Sequence, residues 1–170
     1  MELVIGAGHR SGLRKSLTTN GTHEYQEPVT LDINPEVKPD VVHDLNIRPL
    51  PFEDEQFDEI HAYEVLEHIG EQGDYEGFFE EFAEYSRILK PGGLLVGSCP
   101  RWDSIWAWGD PSHTRVLSSA SFVFLNQEEY EKQQGKTSMT DFRRTWKHSF
   151  RLVFSDIQGE SWFFVLEKQS

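Results

Sequence analysis

The sequence predicts an α/β protein whose open, mostly parallel sheet is flanked by helices and closed by an antiparallel hairpin. Three observations carry that prediction. Short runs rich in Val, Ile and Leu recur, each followed by a polar or glycine-containing turn, as buried parallel strands do. An amphipathic stretch separates the fourth run from the fifth. The chain ends in two apolar runs joined by a short polar turn, the pattern of a hairpin.

The five parallel strands are expected at Leu3 to Ile5, Val29 to Ile33, Asp40 to His43, Glu59 to Tyr63 and Leu94 to Ser98. A short helix is expected after the first, from Ser11 to Leu17. The clearest helix lies between the fourth and fifth, where Tyr75, Phe78, Phe79, Phe82, Tyr85 and Leu89 share one face and Glu76, Glu80, Glu81 and Glu84 fall elsewhere. Asp74 can cap its start, and Pro91, Gly92 and Gly93 are expected to stop it. A further helix is expected over Ser119 to Gln133, and the closing hairpin over Phe150 to Phe154 and Trp162 to Glu167, around Asp156 and Gly159.

With 170 residues the chain has the size of one compact domain, and 37% hydrophobic residues suffice for a core. The formal charge of −13 is uneven: residues 36 to 84 hold 16 acids against Lys38 and Arg48, whereas residues 101 to 170 hold nine charges of each sign. Such acidity repels phosphate backbones, so duplex nucleic acid is not an expected partner of this chain alone; the basic cluster Arg143, Arg144, Lys147 and Arg151 reads as a solvated face. The lone Cys99 excludes an internal disulfide and a cysteine-based zinc site, and nothing reads as a leader or as a membrane span. A cytoplasmic protein with no membrane partner is expected.

In open α/β sheets ligands bind outside the carboxyl ends of the strands, where strand order reverses. The strand-closing residues are therefore the site candidates: Gly6, Ala7, Gly8, His9 and Arg10; Asp32 and Ile33; Asp44 and Leu45; Tyr63 and Glu64; and Cys99 to Trp102. Glycine lets a ligand lie against the backbone. Asp32 follows Gly8 by 24 residues, near the spacing at which a carboxylate reaches both hydroxyls of a bound ribose. An Asx turn leading into Pro35 is the alternative. Asp44 could accept a hydrogen bond from the exocyclic amine of adenine, or stand as a solvated loop carboxylate.

Together with these points, Leu50-Pro51-Phe52, Gln56-Phe57-Asp58, Glu64-Val65-Leu66-Glu67-His68 and Arg87-Ile88-Leu89-Lys90-Pro91-Gly92-Gly93 resemble the small class I methyltransferases that use S-adenosylmethionine, of the type 11 kind. Residues 3 to 100 carry the resemblance, and the run from Pro51 to Gly93 is its specific part. Small size also resembles methyltransferases of phage and prophage genomes. The resemblance implies a Rossmann-like three-layer αβα sandwich, a seven-stranded sheet with its last strand antiparallel, and S-adenosyl-L-methionine as cofactor. It divides the single domain 1–170 into a cofactor-binding core at 1–100, an acceptor loop and helix at 101–149, and a closing hairpin at 150–170. Two positions depart from the family: Val4 stands where an acidic residue is usual, and Arg10 where a third glycine is usual. Arg10 or His9 could instead pair with the methionine carboxylate. No helix precedes the first strand, so a more open cofactor site, or one covered by a partner subunit, is expected.

Methyl transfer to a hydroxyl or amine requires a proton acceptor, and histidine and carboxylates are the usual choices. His113, with Asp110, lies in Trp106-Ala107-Trp108-Gly109-Asp110-Pro111-Ser112-His113-Thr114-Arg115, where the family places its acceptor-binding loop. His113 and Asp110 are thus the catalytic candidates together with Glu64, which with Tyr63 is placed to favour the sulfonium. His68 is a further cofactor-side candidate, or a cap on the turn before Gly70. Trp106, Trp108, His113 and Arg115 are the acceptor-binding candidates, while Trp102, Trp106 and Trp108 crowded in one loop suggest a lid, an acceptor pocket or a subunit contact, the last of which leaves a homo-oligomer open. No metal is expected, because Asp110 and His113 lack a clear third ligand. The acceptor is open among a small molecule, a nucleotide and a protein side chain. Two other functions fit less of the sequence: a methyltransferase-like scaffold without turnover, supported by Val4 and Arg10, and an NAD-binding oxidoreductase, opposed by Ser11 where a dinucleotide fingerprint wants glycine.

Overall fold

A computed structural model describes residues 1–9, 11, 13–19 and 21–170. Its strands are β1 (Glu2–Ile5), β2 (Val29–Asp32), β3 (Val41–Val42), β4 (Phe57–Tyr63), β5 (Leu89–Pro100), β6 (Phe150–Gln158) and β7 (Ser161–Lys168). They form one sheet in the order β3-β2-β1-β4-β5-β7-β6. The first five run parallel to one another, and β7 is antiparallel to both β5 and β6. The seven-stranded, Rossmann-like sheet with its closing hairpin is as the sequence predicts. Strand order reverses between β1 and β4: the chain first moves outward through β2 and β3, then returns to the other side of β1.

Alternation along the strands makes the two faces of the sheet unlike. Leu3, Ile5, Leu31, Ile60, Ala62 and Leu95 face an aromatic core built with Phe79, Phe82, Phe122, Trp146, Phe150 and Phe164. The helix α1 (Tyr75–Ile88) supplies Phe79, Phe82 and Tyr85 to that core, and the Asp74 carboxylate caps it by accepting the Gly77 N–H at 3.0 Å. The helix stops at Ile88 and not at Pro91-Gly92-Gly93. Leu89 still donates its N–H to Tyr85, but its carbonyl accepts from the Lys168 ammonium at 2.8 Å and it pairs with Phe57, so it belongs to β5. The Pro-Gly-Gly run is instead an irregularity in the sheet, where pairing jumps from Phe57–Leu89 to Glu59–Leu94.

Two further expectations change. The helix expected over Ser119 to Gln133 is two, α3 (Ser119–Val123) and α4 (Gln127–Gln133), because Asn126 caps a new start by accepting the Glu128 N–H at 2.9 Å. The break allows Phe122, Leu125 and Tyr130 all to be buried. The described residues between Ser11 and Leu17 contain no helix. There the Lys15 N–H donates to the His23 carbonyl at 2.8 Å, and the His23 ring bonds the Lys15 carbonyl, so both backbone groups of Lys15 are withdrawn from helical pairing. A short helix, α2 (Ile105–Gly109), follows β5.

Lys15 explains that choice. On the second face of the sheet, Glu2, Glu59 and His61 are covered by residues 13–19 and 21–28, with the fully buried Lys15 ammonium paired to Glu2 and to Glu59 at 3.3 Å. Thr19 donates to Glu59 at 2.6 Å, and the His61 Nε2–H donates to Glu59 at 2.9 Å. His61 Nδ1 is then left to accept from the Tyr63 hydroxyl at 3.2 Å, which itself accepts the Leu17 N–H. Burial alone would raise the Glu59 carboxyl, but hydrogen bonds from His61 and Thr19 and the charge of Lys15 outweigh it and hold it at about 2. The third layer is thus pinned by polar contacts. No helix of the described residues is long and apolar enough to cross a membrane.

Candidate active site

At the point where strand order reverses, the strand ends open a crevice of about 290 Å³ lined by Gly6, Asp32, Ile33, Asp44, Leu45, Glu64 and His68 among others. Seven cofactor-side candidates therefore meet in one cavity. Gly6 turns the chain out of β1 with φ of +59°, a conformation that glycine accepts readily, and a Cβ there would lie 2.4 Å from Val65 Cγ2. Gly8 also has a positive φ, and its N–H donates to Asp32 Oδ2 at 2.8 Å. The other oxygen of Asp32 accepts the Asn34 N–H at 2.9 Å, so the Asx turn coexists with the link to the glycine loop. A carboxylate has about four acceptor directions, so capacity remains for a diol.

Asp44 closes its own turn by accepting the Asn46 N–H at 2.9 Å, and Asn46 in turn accepts the Gly70 N–H, tying the β3 loop to the β4 loop. Glu64, with φ of +54°, accepts the Ser98 hydroxyl at 2.8 Å. Ala7 is buried, donating its N–H to Leu31, and His9 is exposed; neither lines the crevice. Arg10 lies outside the described residues. Tyr63 is not at the crevice: period-two alternation sends its ring to the polar face with His61, where burial raises its hydroxyl to about 12.

The acceptor-side candidates separate. Arg115 is buried and committed, its guanidinium bound to Glu81 at 2.7 Å and to the Leu66 carbonyl at 2.8 Å, so it is not available to an anionic acceptor. Trp106 and Trp108 are 58% and 70% exposed on α2, away from the crevice wall, with the Trp108 indole donating to the Trp102 carbonyl. His113 packs edge-on against His68, with ring centroids 4.8 Å apart, and its Nε2 lies 3.8 Å from Asp110, beyond hydrogen-bond reach. His113 and Asp110 thus stand behind His68 and do not line the crevice. His43, Asn46, Val65 and Ile69 also form the wall, without having been candidates. Glu67 was named only within its motif, yet it is buried beside Glu64; burial first, and the charge of Glu64 in addition, push its carboxyl up to about 7. Only tertiary packing distinguishes it from the many other glutamates.

Residues 4–97 match the family model of the methyltransferase domain. The chain belongs to that methyltransferase domain family. The match ends one residue before the Ser98 that holds Glu64, so it spans every residue of the crevice wall. No curated protein sequence matches the chain. Among solved structures, it resembles a chain of the Haloferax volcanii complex between the Trm112 methyltransferase activator and a protein read as a methyltransferase, with TM-score 0.59 and 15% identity over 99% of this chain and 82% of that one. It also resembles the N-methyltransferase NodS of Bradyrhizobium japonicum in complex with S-adenosyl-L-homocysteine, with TM-score 0.57 and 15% identity over 99% and 78%. A SAM-dependent methyltransferase from Archaeoglobus fulgidus aligns with TM-score 0.56 and 16% identity over 98% and 85%. At such identities these structures establish the shared fold.

Proposed function

We propose that this methyltransferase domain binds S-adenosylmethionine in the crevice between the β1 and β4 ends and moves its methyl group to an acceptor by direct in-line displacement. The observation that carries the reading is Asp32, which faces the crevice while holding the Gly8 N–H at 2.8 Å. Its remaining acceptor capacity suits a ribose diol, and Asp44 and Leu45 are the residues that would meet the adenine ring. Gly8, with nothing within 4 Å of its Cβ position, leaves the turn open where the amino-acid tail would pass. The NodS structure with S-adenosylhomocysteine, on the same fold, supports the choice of cofactor.

The cofactor supplies an electrophilic methyl on a sulfonium that is already a good leaving group. What the chain must add is placement, and well-oriented intramolecular reactions show that alignment alone can lower a barrier by roughly 7 to 11 kcal/mol. Glu64, its carboxylate oriented by Ser98, favours a positively charged ligand in the crevice over its neutral product. The acceptor would approach from the Glu64 and His68 side.

Calorimetric titration with S-adenosylhomocysteine tests the reading. The wild-type chain is expected to bind one equivalent, and Asp32→Ala to bind roughly 10- to 100-fold more weakly, the loss of a hydrogen-bonded pair to a charged group. No heat with a folded wild-type chain, or an Asp32→Ala variant that binds as tightly, overturns the assignment.

A further inference from the structure

We propose that Glu67, His68 and His113 form a binding site for one divalent transition-metal cation beside the crevice. The first reason is a buried carboxyl group with no counter-ion beside it. Glu67 is 2% exposed, its carboxylate oxygens lack a well-formed hydrogen bond, and only the buried Cys99 thiol and the Glu64 carboxyl stand beside them. A buried carboxylate without partner or counter-ion costs several kcal/mol. The nearby cation, Arg115, is already bound to Glu81, and Glu64 adds negative charge instead of removing it. The other buried acidic cluster, Glu2 and Glu59 with His61, has its counter-ion in Lys15.

The second reason is the state of the two imidazoles. His68 Nδ1 lies 3.1 Å from the Ser112 carbonyl, which can only accept, so Nδ1 carries the proton and Nε2 presents its lone pair. His113 Nδ1 is buried without a partner, while its Nε2 faces the Asp110 carboxylate, itself held by the Ser112 N–H and hydroxyl. A carbonyl behind the distal nitrogen, as Ser112 stands behind His68, is how metal-binding histidines are commonly oriented. One donor atom from each of the three residues lies within 4.8 Å of the others. Bonds of ~2.0–2.2 Å to one cation in tetrahedral or facial octahedral geometry place three ligand atoms roughly 3 to 3.6 Å apart, so a contraction of about 1 Å closes the site. The loop that carries His113 is already fastened here, since Thr114 donates its N–H to the Glu67 carbonyl at 2.9 Å.

Two nitrogens and one oxygen suit Zn²⁺, Mn²⁺, Fe²⁺, Co²⁺ or Ni²⁺ better than Ca²⁺ or Mg²⁺, which prefer oxygen ligands. Three protein ligands leave coordination positions open, and His68 is also part of the crevice wall. The ligand that suits those positions is an oxygen donor, water or an oxygen atom of the methyl acceptor. That last assignment rests on the methyl-transfer reading; the cation site itself does not.

The test is calorimetry of the full chain with Zn²⁺ and, separately, Mn²⁺. One cation per chain is expected, and Glu67→Gln and His113→Gln should each weaken binding at least roughly 10-fold. In the absence of metal, Glu67→Gln is expected to melt no lower than the wild type, because it removes the unpaired charge, and to lose the rise in Tm that metal gives the wild type. Should a variant fail to fold, Mn²⁺ added to the wild-type chain is expected to broaden the imidazole resonances of His68 and His113 and to spare those of His61 and His148. No binding by the folded wild type at millimolar metal, undiminished binding by both variants, or broadening at other histidines overturns the site. S-adenosylhomocysteine binding is measured independently, so a failed donor assignment and a failed cation site give different results.

Discussion

Gly6 shows how one residue serves both fold and site. Its φ of +59° costs a side-chain-bearing residue about 1–2 kcal/mol, and a Cβ would stand 2.4 Å from Val65 Cγ2, a branch of a buried side chain with little freedom to yield. Gly6→Ala is therefore expected to lower unfolding free energy by more than the backbone cost alone, about 2–4 kcal/mol. Adding Val65→Ala should recover the steric part and leave the backbone part. Urea denaturation of the single and double variants measures this, and a Gly6→Ala chain as stable as the wild type would remove the steric argument. Gly8 differs: nothing lies within 4 Å of its Cβ position, so its need for glycine is conformational only. The two glycines read alike in sequence. Their separation into a packed one and an open one depends on Val65, whose approach to Gly6 is a tertiary contact.

At the scale of elements, α1 holds an internal conflict that can be measured. Asp74 caps the helix through the Gly77 N–H, and a Cβ at position 77 would lie 2.3 Å from Asp74 Oδ2, the movable end of that same cap. Gly77→Ala gains about 0.8–1 kcal/mol of helix propensity but displaces a cap worth about 1 kcal/mol, so its net effect is expected near zero. Asp74→Ala alone should lose about 1 kcal/mol, and Gly77→Ala in that background should then show its full gain. Thermal unfolding of the four chains measures the cycle, and strict additivity would show that the cap and the side chain do not compete. The cap and the aromatic stripe were both legible, because each is a local pattern. The end of the helix was not: the Pro-Gly-Gly signal is real, but the Lys168 ammonium, 79 residues away in the chain, takes the Leu89 carbonyl and starts the strand earlier. The same reason explains the missing helix near Ser11, where Lys15 answers to Glu2 and Glu59. Site residues follow the same rule. Asp32 was legible from its spacing to Gly8, whereas Tyr63 was aimed wrongly because its direction depends on which strand face the crevice takes, and Arg115 because its partner Glu81 is 34 residues away.

For the whole molecule, the consequence is a sheet held in two different ways. One face is closed mainly by aromatic packing, the other by a charged cluster around Lys15. Glu59 is its acidic member held well below the usual carboxylate range, at about 2 against 4.5. Its folded value lies below its unfolded value, so its contribution is fully present above pH 4.5 and is lost as pH falls from 4.5 toward 2. The displacement corresponds to a few kcal/mol, on the order of 3. The expected outcome is that Glu59→Gln is less stable than the wild type at pH 6, and that this gap narrows steadily between pH 5 and pH 3, because protonation does to the wild type what the substitution does to the variant. Comparing the two chains at each pH cancels the other carboxyls, which titrate alike in both. Hydrogen exchange localises the effect: acid should speed exchange at the Leu17 N–H, which is held by Tyr63 on the polar face, before it speeds exchange in β5 and β7. Since the segment that covers this face runs directly from the Gly6 to Gly8 turn, its loosening should also weaken S-adenosylhomocysteine binding below pH 4.5. Binding that holds its strength while Leu17 exchanges freely would show that the crevice is supported by the aromatic face alone.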